Sequence, residues 1–114
     1  MSAITTHVLD TSQGHPAAGV PVHLDVQEED GGWRELSSGV TDADGRLKDL
    51  LPDDFTFAAG VYRLTFATGA YFAAHNIESF YPQVSISFIV RDAAQHYHVP
   101  LLLSPFGYST YRGS

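Results

Sequence analysis

His96-Tyr97-His98-Val99-Pro100-Leu101-Leu102-Leu103-Ser104-Pro105-Phe106-Gly107-Tyr108-Ser109-Thr110-Tyr111-Arg112-Gly113-Ser114 closes the chain and decides how the rest is read. Alternation puts Tyr97, Val99, Leu101 and Leu103 on one face of a strand, apolar enough to be core, and His96 and His98 on the reverse. Pro100 has no N–H for a ladder, so this strand is expected at a sheet edge, at a bulge or near a strand end. A Pro/Gly turn follows, and a second strand runs out to the C-terminus. Chain ends usually fray and carry small polar residues. This one ends in Tyr111-Arg112-Gly113-Ser114, where tyrosine and arginine are costly to order and glycine lets the backbone pass close to another surface. On composition alone, an ordered edge strand with a solvated arginine accounts for it.

Working outward, Ile4 to Leu9 alternates Ile4, Thr6 and Val8 against Thr5, His7 and Leu9, and ends in the turn cluster 10–16. Val20, Val22, Leu24 and Val26 line one face of the next strand, with His23, Asp25 and Gln27 behind. Glu29-Asp30-Gly31-Gly32 is a hairpin turn leading to a strand from Trp33 to Thr41. Arg46-Leu47 has room for only a short strand, and Leu50 to Phe57 reads as loop. Tyr62, Leu64 and Phe66 pattern a strand opened by Gly60. The alanines of Gly69–Asn76 favour one or two helical turns, and Val84, Ile86, Phe88 and Val90 mark another strand. Seven to eight short strands with one short helix make an all-β sandwich.

At 114 residues the chain is expected to be one domain, 1–114, large enough for a core. The absence of cysteine excludes a disulfide framework, a thiolate nucleophile and a thiolate metal site. The N-terminal residues show no signal-peptide pattern and no run long enough to span a membrane, so a cytoplasmic protein is expected. A formal charge of −7 makes nucleic acid and anionic membranes poor partners. A chain this acidic must place its few cations deliberately, which singles out Arg46 and Arg112.

Six histidines invite a metal reading. His96-x-His98 puts two imidazoles on one strand face, with His7 as a possible third ligand, but no carboxylate accompanies them and no metal is expected. Asp42-Ala43-Asp44-Gly45 is a turn, since Val40 and Leu51 would fill the first and twelfth positions of a calcium loop. No nucleophile elbow or phosphate loop is present. Histidine suits proton transfer near neutrality. His15, His23 and His75 read as surface or structural, whereas His7 and His98 lie on short strands near the chain ends and are harder to dismiss.

His7-Val8-Leu9-Asp10-Thr11, Gly14-x-Pro16-Ala17, Val20-Pro21-Val22-x-Leu24, Thr41-Asp42-Ala43-Asp44-Gly45-Arg46 and the terminal Tyr-Arg-Gly-Ser together resemble the 5-hydroxyisourate hydrolases, the enzymatic branch of the transthyretin-related proteins. The resemblance covers essentially the whole chain without departure at the motif positions. Its first and last blocks are specific. The middle one is shared by many β-sandwich domains.

The resemblance implies a transthyretin-like two-sheet, eight-strand sandwich with a short helix after the fifth strand. It implies a homotetramer, a dimer of dimers with active sites in the channel where dimers meet. The small-molecule substrate would be 5-hydroxyisourate from urate degradation, opened at a cyclic amide-type C–N bond without a cofactor. The implied site is His7, Arg46 and His98 with Tyr111, Arg112, Gly113 and Ser114, a set that the hormone-carrying transthyretins lack. His98 is the expected base for water, with Arg46 steadying developing negative charge. His7 would orient the water or protonate the leaving nitrogen, and the two histidines are interchangeable at this level. Tyr111 would contact the ring, while Arg112 and the Ser114 carboxylate hold the tail. A non-catalytic carrier of a small aromatic ligand is the alternative, and a structural module without a ligand the third reading.

Overall fold

The computed structural model describes residues 3–114. In chain order its elements are β1 (Ile4–Asp10), β2 (His15–Pro16), β3 (Pro21–Gln27), β4 (Trp33–Val40), β5 (Arg46–Leu47), β6 (Gly60–Phe66), α1 (Thr68–Ala74), β7 (Val84–Val90), β8 (Tyr97–Ser104) and β9 (Gly107–Thr110). One sheet runs β2-β1-β8-β9, with β5 also on β1; the other is β4-β3-β6-β7. The all-β sandwich read from the alternation is therefore the fold, and the short helix lies where the alanines placed it.

Period-two patterning decides which face each strand buries. Ile4, Val8, Leu101 and Leu103 from one sheet meet Val22, Leu24, Tyr62, Leu64 and Phe66 from the other, all essentially inaccessible. Each such aliphatic or aromatic side chain contributes about 1.5–3 kcal/mol on burial. Among the described residues no helix is long and apolar enough to cross a membrane.

Two local expectations need correcting. Pro100 does not mark an edge, a bulge or a strand end: β8 is an interior strand, parallel to β1 on one side and antiparallel to β9 on the other, and Pro100 is in its middle. His98 O accepts from Gly113 N at 2.8 Å, and residues two apart point the same way, so the donor missing at Pro100 faces the C-terminal segment rather than β1. There β9 has already ended at Thr110, whose hydroxyl donates to Pro100 O at 2.7 Å. For the same reason the last strand does not run unbroken to the C-terminus. It resumes beyond Arg112 as a single bridge between Gly113 and His98. The second correction is β2, a two-residue strand on β1 where only turn was expected.

The helix ends because Asn76 takes a left-handed conformation (φ 58°), tolerated by asparagine, while Ile77 N bonds Phe72 O. It buries Tyr71 and Phe72, and the Tyr71 hydroxyl donates to Asp10 Oδ2 at 2.8 Å. Burial alone would raise the Asp10 pKa, but hydrogen bonds from Ser12, Tyr71 and Gln13 together hold it below its ordinary 3.8. That buried carboxylate fastens α1 to the end of β1, the strand that carries His7.

Candidate active site

The three strands β5, β1 and β8 bring the expected residues together by register. His7 lies directly opposite Arg46 in the antiparallel β1–β5 pair, and Thr5 directly opposite His98 in the parallel β1–β8 pair. Opposed residues share a face and residues two apart on β1 share it too, so Thr5, His7, Arg46 and His98 all lie on the outer face of the five-stranded sheet.

Local chemistry holds that arrangement. Asp42 Oδ1 accepts from the backbone N–H of Asp44 at 2.9 Å and of Arg46 at 3.0 Å. These bonds, that to Arg46 first, lower the Asp42 pKa despite some desolvation. Gly45 takes φ +76°, and Val8 N donates to its carbonyl at 2.7 Å; a Cβ there would run into Val8 O. Only glycine fits so close to β1, and its place fixes Arg46 opposite His7. Thr41 Oγ1 ties the turn's start to Ala17 O at 2.7 Å. A His7 ring nitrogen, Nε2, is 2.8 Å from Asp44 O, which accepts its proton. With that bond made, His7 is neutral with its hydrogen on Nε2, or doubly protonated.

His98 is half-buried. Desolvation, and then the charges of Arg46, His7 and His96, push its pKa below the ordinary 6.5. The imidazole is thus neutral at pH 7, the form that accepts a proton. Its Nδ1 lies 2.8 Å from Thr5 Oγ1, and the same hydroxyl lies 3.0 Å from His96 Nε2.

The tail is laid against this ring. A Cβ on Gly113 would stand 2.6 Å from His98 Cδ2 and 3.4 Å from Pro100 Cγ. The surface that the glycine allows the backbone to approach is therefore the His98 imidazole. Arg112 turns elsewhere: Nη2 donates to Gln95 Oε1 at 3.0 Å and His96 O at 3.2 Å, and the guanidinium stands 4.5 Å from the Tyr97 ring. In this chain Arg112 anchors the tail. Tyr111 is exposed and, with Arg112, Thr110, Tyr97 and β7 residues, lines a largely apolar cavity of about 340 Å³. Ser114 is exposed.

Thr5 is the residue that sequence reading passed over. Its alternation with His7 was visible, but nothing announced that β1 and β8 pair in parallel and set Thr5 against His98. His15 is exposed beside Gln13 and Pro16 O, and His75 packs on Tyr71 at the end of α1. Among the described residues the group spaced to share a metal ion is His23, Asp25 and Glu35, within 4.8 Å of one another on the other sheet. Asp25 there is already paired with Arg63 at 2.9 Å, whose positive charge opposes a second cation. His7, His96 and His98 do not form such a group.

Residues 4–113 match the family model described as HIUase/Transthyretin family. The chain belongs to the HIUase/Transthyretin family. A Caenorhabditis elegans relative described as "Probable 5-hydroxyisourate hydrolase" is 51% identical over 113 residues, covering 99% of this chain and 82% of the relative. The solved 5-hydroxyisourate hydrolase of Klebsiella pneumoniae superposes with a TM-score of 0.84 at 41% identity, covering 100% of both chains. Sea bream transthyretin in complex with thyroxine superposes with a TM-score of 0.91 at 35% identity, covering 97% of this chain and 94% of the other. Within the HIUase/Transthyretin family, backbone likeness does not separate the two branches, and side chains must.

Proposed function

We propose that this protein hydrolyses 5-hydroxyisourate, opening the ring at its cyclic amide-type C–N bond to give 2-oxo-4-hydroxy-4-carboxy-5-ureidoimidazoline. The observation that carries this reading is a half-buried His98, held neutral on one sheet face with His7 and Arg46. Water is a weak nucleophile toward a ring carbonyl, and a positioned base is worth roughly 10²–10⁴ in rate. His98 Nε2 takes the proton from water. Arg46 offers planar donors to the ring oxygens and to the charge that develops on attack. His7, whose Nε2 hydrogen is given to Asp44 O, orients the water through Nδ1 or, when doubly protonated, donates from Nδ1 to the leaving nitrogen. Gly113 closes the site beside His98 and Arg112 fixes the tail, with Ser114 as its terminal residue. Tyr111 lies over the neighbouring apolar cavity, where it would meet a ring only across a subunit contact.

The same reading makes the working form a homotetramer, a dimer of dimers with sites between dimers. Its support is that, among the described residues, β7 and β9 end their sheets without a further strand beside them, an edge that proteins seldom leave bare. Ile89, Phe106, Tyr108 and Tyr111 are exposed on or beside them.

The test is to form 5-hydroxyisourate in place from urate and urate oxidase and follow its ultraviolet decay against the spontaneous rate. Acceleration proportional to protein, lost by at least about 10²-fold in His98→Asn, is the expected result. An unchanged rate in that variant sinks the base assignment. Decay at the spontaneous rate with wild-type protein favours the second reading, a carrier of a small aromatic ligand, for which the transthyretin likeness speaks.

A further inference from the structure

A hydroxyl has one hydrogen. Thr5 Oγ1 lies within hydrogen-bond distance of two imidazole nitrogens, Nδ1 of His98 at 2.8 Å and Nε2 of His96 at 3.0 Å. If it donates to one ring, it accepts from the other. When Thr5 donates to His96 and accepts from His98 Nδ1–H, the lone pair of His98 is on Nε2 and the ring is a base. With both bonds reversed, His98 carries its hydrogen on Nε2 and the ring is an acid.

We propose that Thr5 and His96 are positioning residues that set the tautomer of His98 and store its proton, so that one imidazole acts first as base and then as acid. This rests on the hydrolase reading above. As water attacks, its proton passes to His98 Nε2, the Nδ1 hydrogen of His98 passes to Thr5 Oγ1, and the Thr5 hydrogen passes to His96 Nε2. The positive charge now lies on His96, and His98 is neutral with a hydrogen on Nε2. As that hydrogen goes to the leaving nitrogen, the two transfers through Thr5 run backward in the same step and return a hydrogen to His98 Nδ1. His98 thus stays neutral, His96 loses its extra proton and the starting tautomer returns. No proton is left over.

The surroundings favour this route. His98 is half-buried and faces His7 on β1, Arg46 on β5 and His96 on the segment before β8, all cationic or able to become so. A charge held there is disfavoured by every neighbour. His96 is exposed, and although Arg112 bonds its carbonyl, its ring meets water, where a cation costs least. The two rings stack at 6.5 Å with Thr5 bridging them, too far apart for direct transfer.

The test uses the full chain, with Thr5→Val removing the hydroxyl at nearly constant volume, Thr5→Ser restoring it, and His96→Gln removing the proton store. Long-range ¹H–¹⁵N spectra of the imidazoles read the tautomer of His98 directly. Wild type and Thr5→Ser are expected to hold the hydrogen on Nδ1, and Thr5→Val to move it towards Nε2. With this shift kcat should fall about tenfold in Thr5→Val and His96→Gln, part of the ~10²–10⁴ that acid–base catalysis supplies, and recover in Thr5→Ser. KM should stay within roughly twofold. A folded Thr5→Val protein with the wild-type tautomer or the wild-type kcat overturns the relay. If wild-type protein fails to speed the decay of 5-hydroxyisourate, the hydrolase reading fails instead, and the spectra still report whether Thr5 sets the tautomer.

Discussion

Replacing Gly113 by alanine adds one methyl group at the point where the tail crosses His98. Its φ lies outside the left-handed range, so alanine meets no backbone penalty and the contact alone decides the outcome. The new Cβ would be 2.6 Å from His98 Cδ2 and 3.3 Å from Cγ, against the ~3.5–4.0 Å that carbon atoms prefer. About 1 Å must be found. If the tail gives way, the Gly113 N to His98 O bond is lost, worth about 0.5–1.5 kcal/mol, or roughly 5 °C of melting temperature. If the ring gives way, Nδ1 leaves Thr5, and a ~1 Å misplacement of a reacting group can cost ~10²-fold in rate. Melting by circular dichroism and initial rates on 5-hydroxyisourate formed in place measure both. The expected pattern is a small loss of stability beside a loss of kcat of about 10- to 100-fold. Wild-type kcat in Gly113→Ala would refute the idea that the tail's seat on His98 serves the reaction.

The depressed His98 pKa predicts that kcat/KM rises with pH through an apparent pKa below 6.5 and is level at neutrality. An acid limb centred above 6.5 would remove His98 as the base. The same depression means that the unfolded chain binds more protons just below pH 6.5, so this group's contribution makes stability fall as pH falls through that window. Tyr71→Phe removes a donor to the buried Asp10 carboxylate and should cost about 1.5–3 kcal/mol at pH 7 by denaturant unfolding. Because the Asp10 pKa is lowered, that difference should be full above pH 3.8 and shrink as pH falls through the folded value; kcat should not change. Gly45→Ala forces a left-handed alanine against Val8 O, which should cost about 1–3 kcal/mol and lower kcat too, as Arg46 loses its place opposite His7. A stable and fully active Gly45→Ala protein would show that the turn does not set that register.

Strand patterning in this chain is strong enough to be read without neighbours. The core faces of β1, β3, β6 and β8 follow from alternation, and the Asp42–Gly45 turn from its residue types. What alternation cannot reveal is which strands lie side by side. The interior place of β8, and with it the direction of the missing Pro100 donor, depends on pairing with a strand some ninety residues earlier. The same ignorance hid Thr5. An unremarkable threonine becomes a partner of two histidines only when β1 and β8 are in register. His7, Arg46 and His98 were singled out by family resemblance and residue chemistry, and the register is what brings them to one face. Arg112 shows the converse: its charge drew notice, but the geometry spends that charge on Gln95, the His96 carbonyl and the Tyr97 ring.

The parallel β1–β8 pair also bears on how the protein is made. During synthesis β1 leaves the ribosome some ninety residues before the strand it must join, and domains are built at about 5–20 residues per second. For several seconds, then, an apolar strand waits without its long-range partner. Pairings so distant in sequence fold slowly and stay exposed to aggregation. Every nascent or truncated chain that stops short of β8 lacks the strand on which Thr5 and His7 are seated, so the hydroxyl and the two imidazoles beside it meet only after β8 has been made.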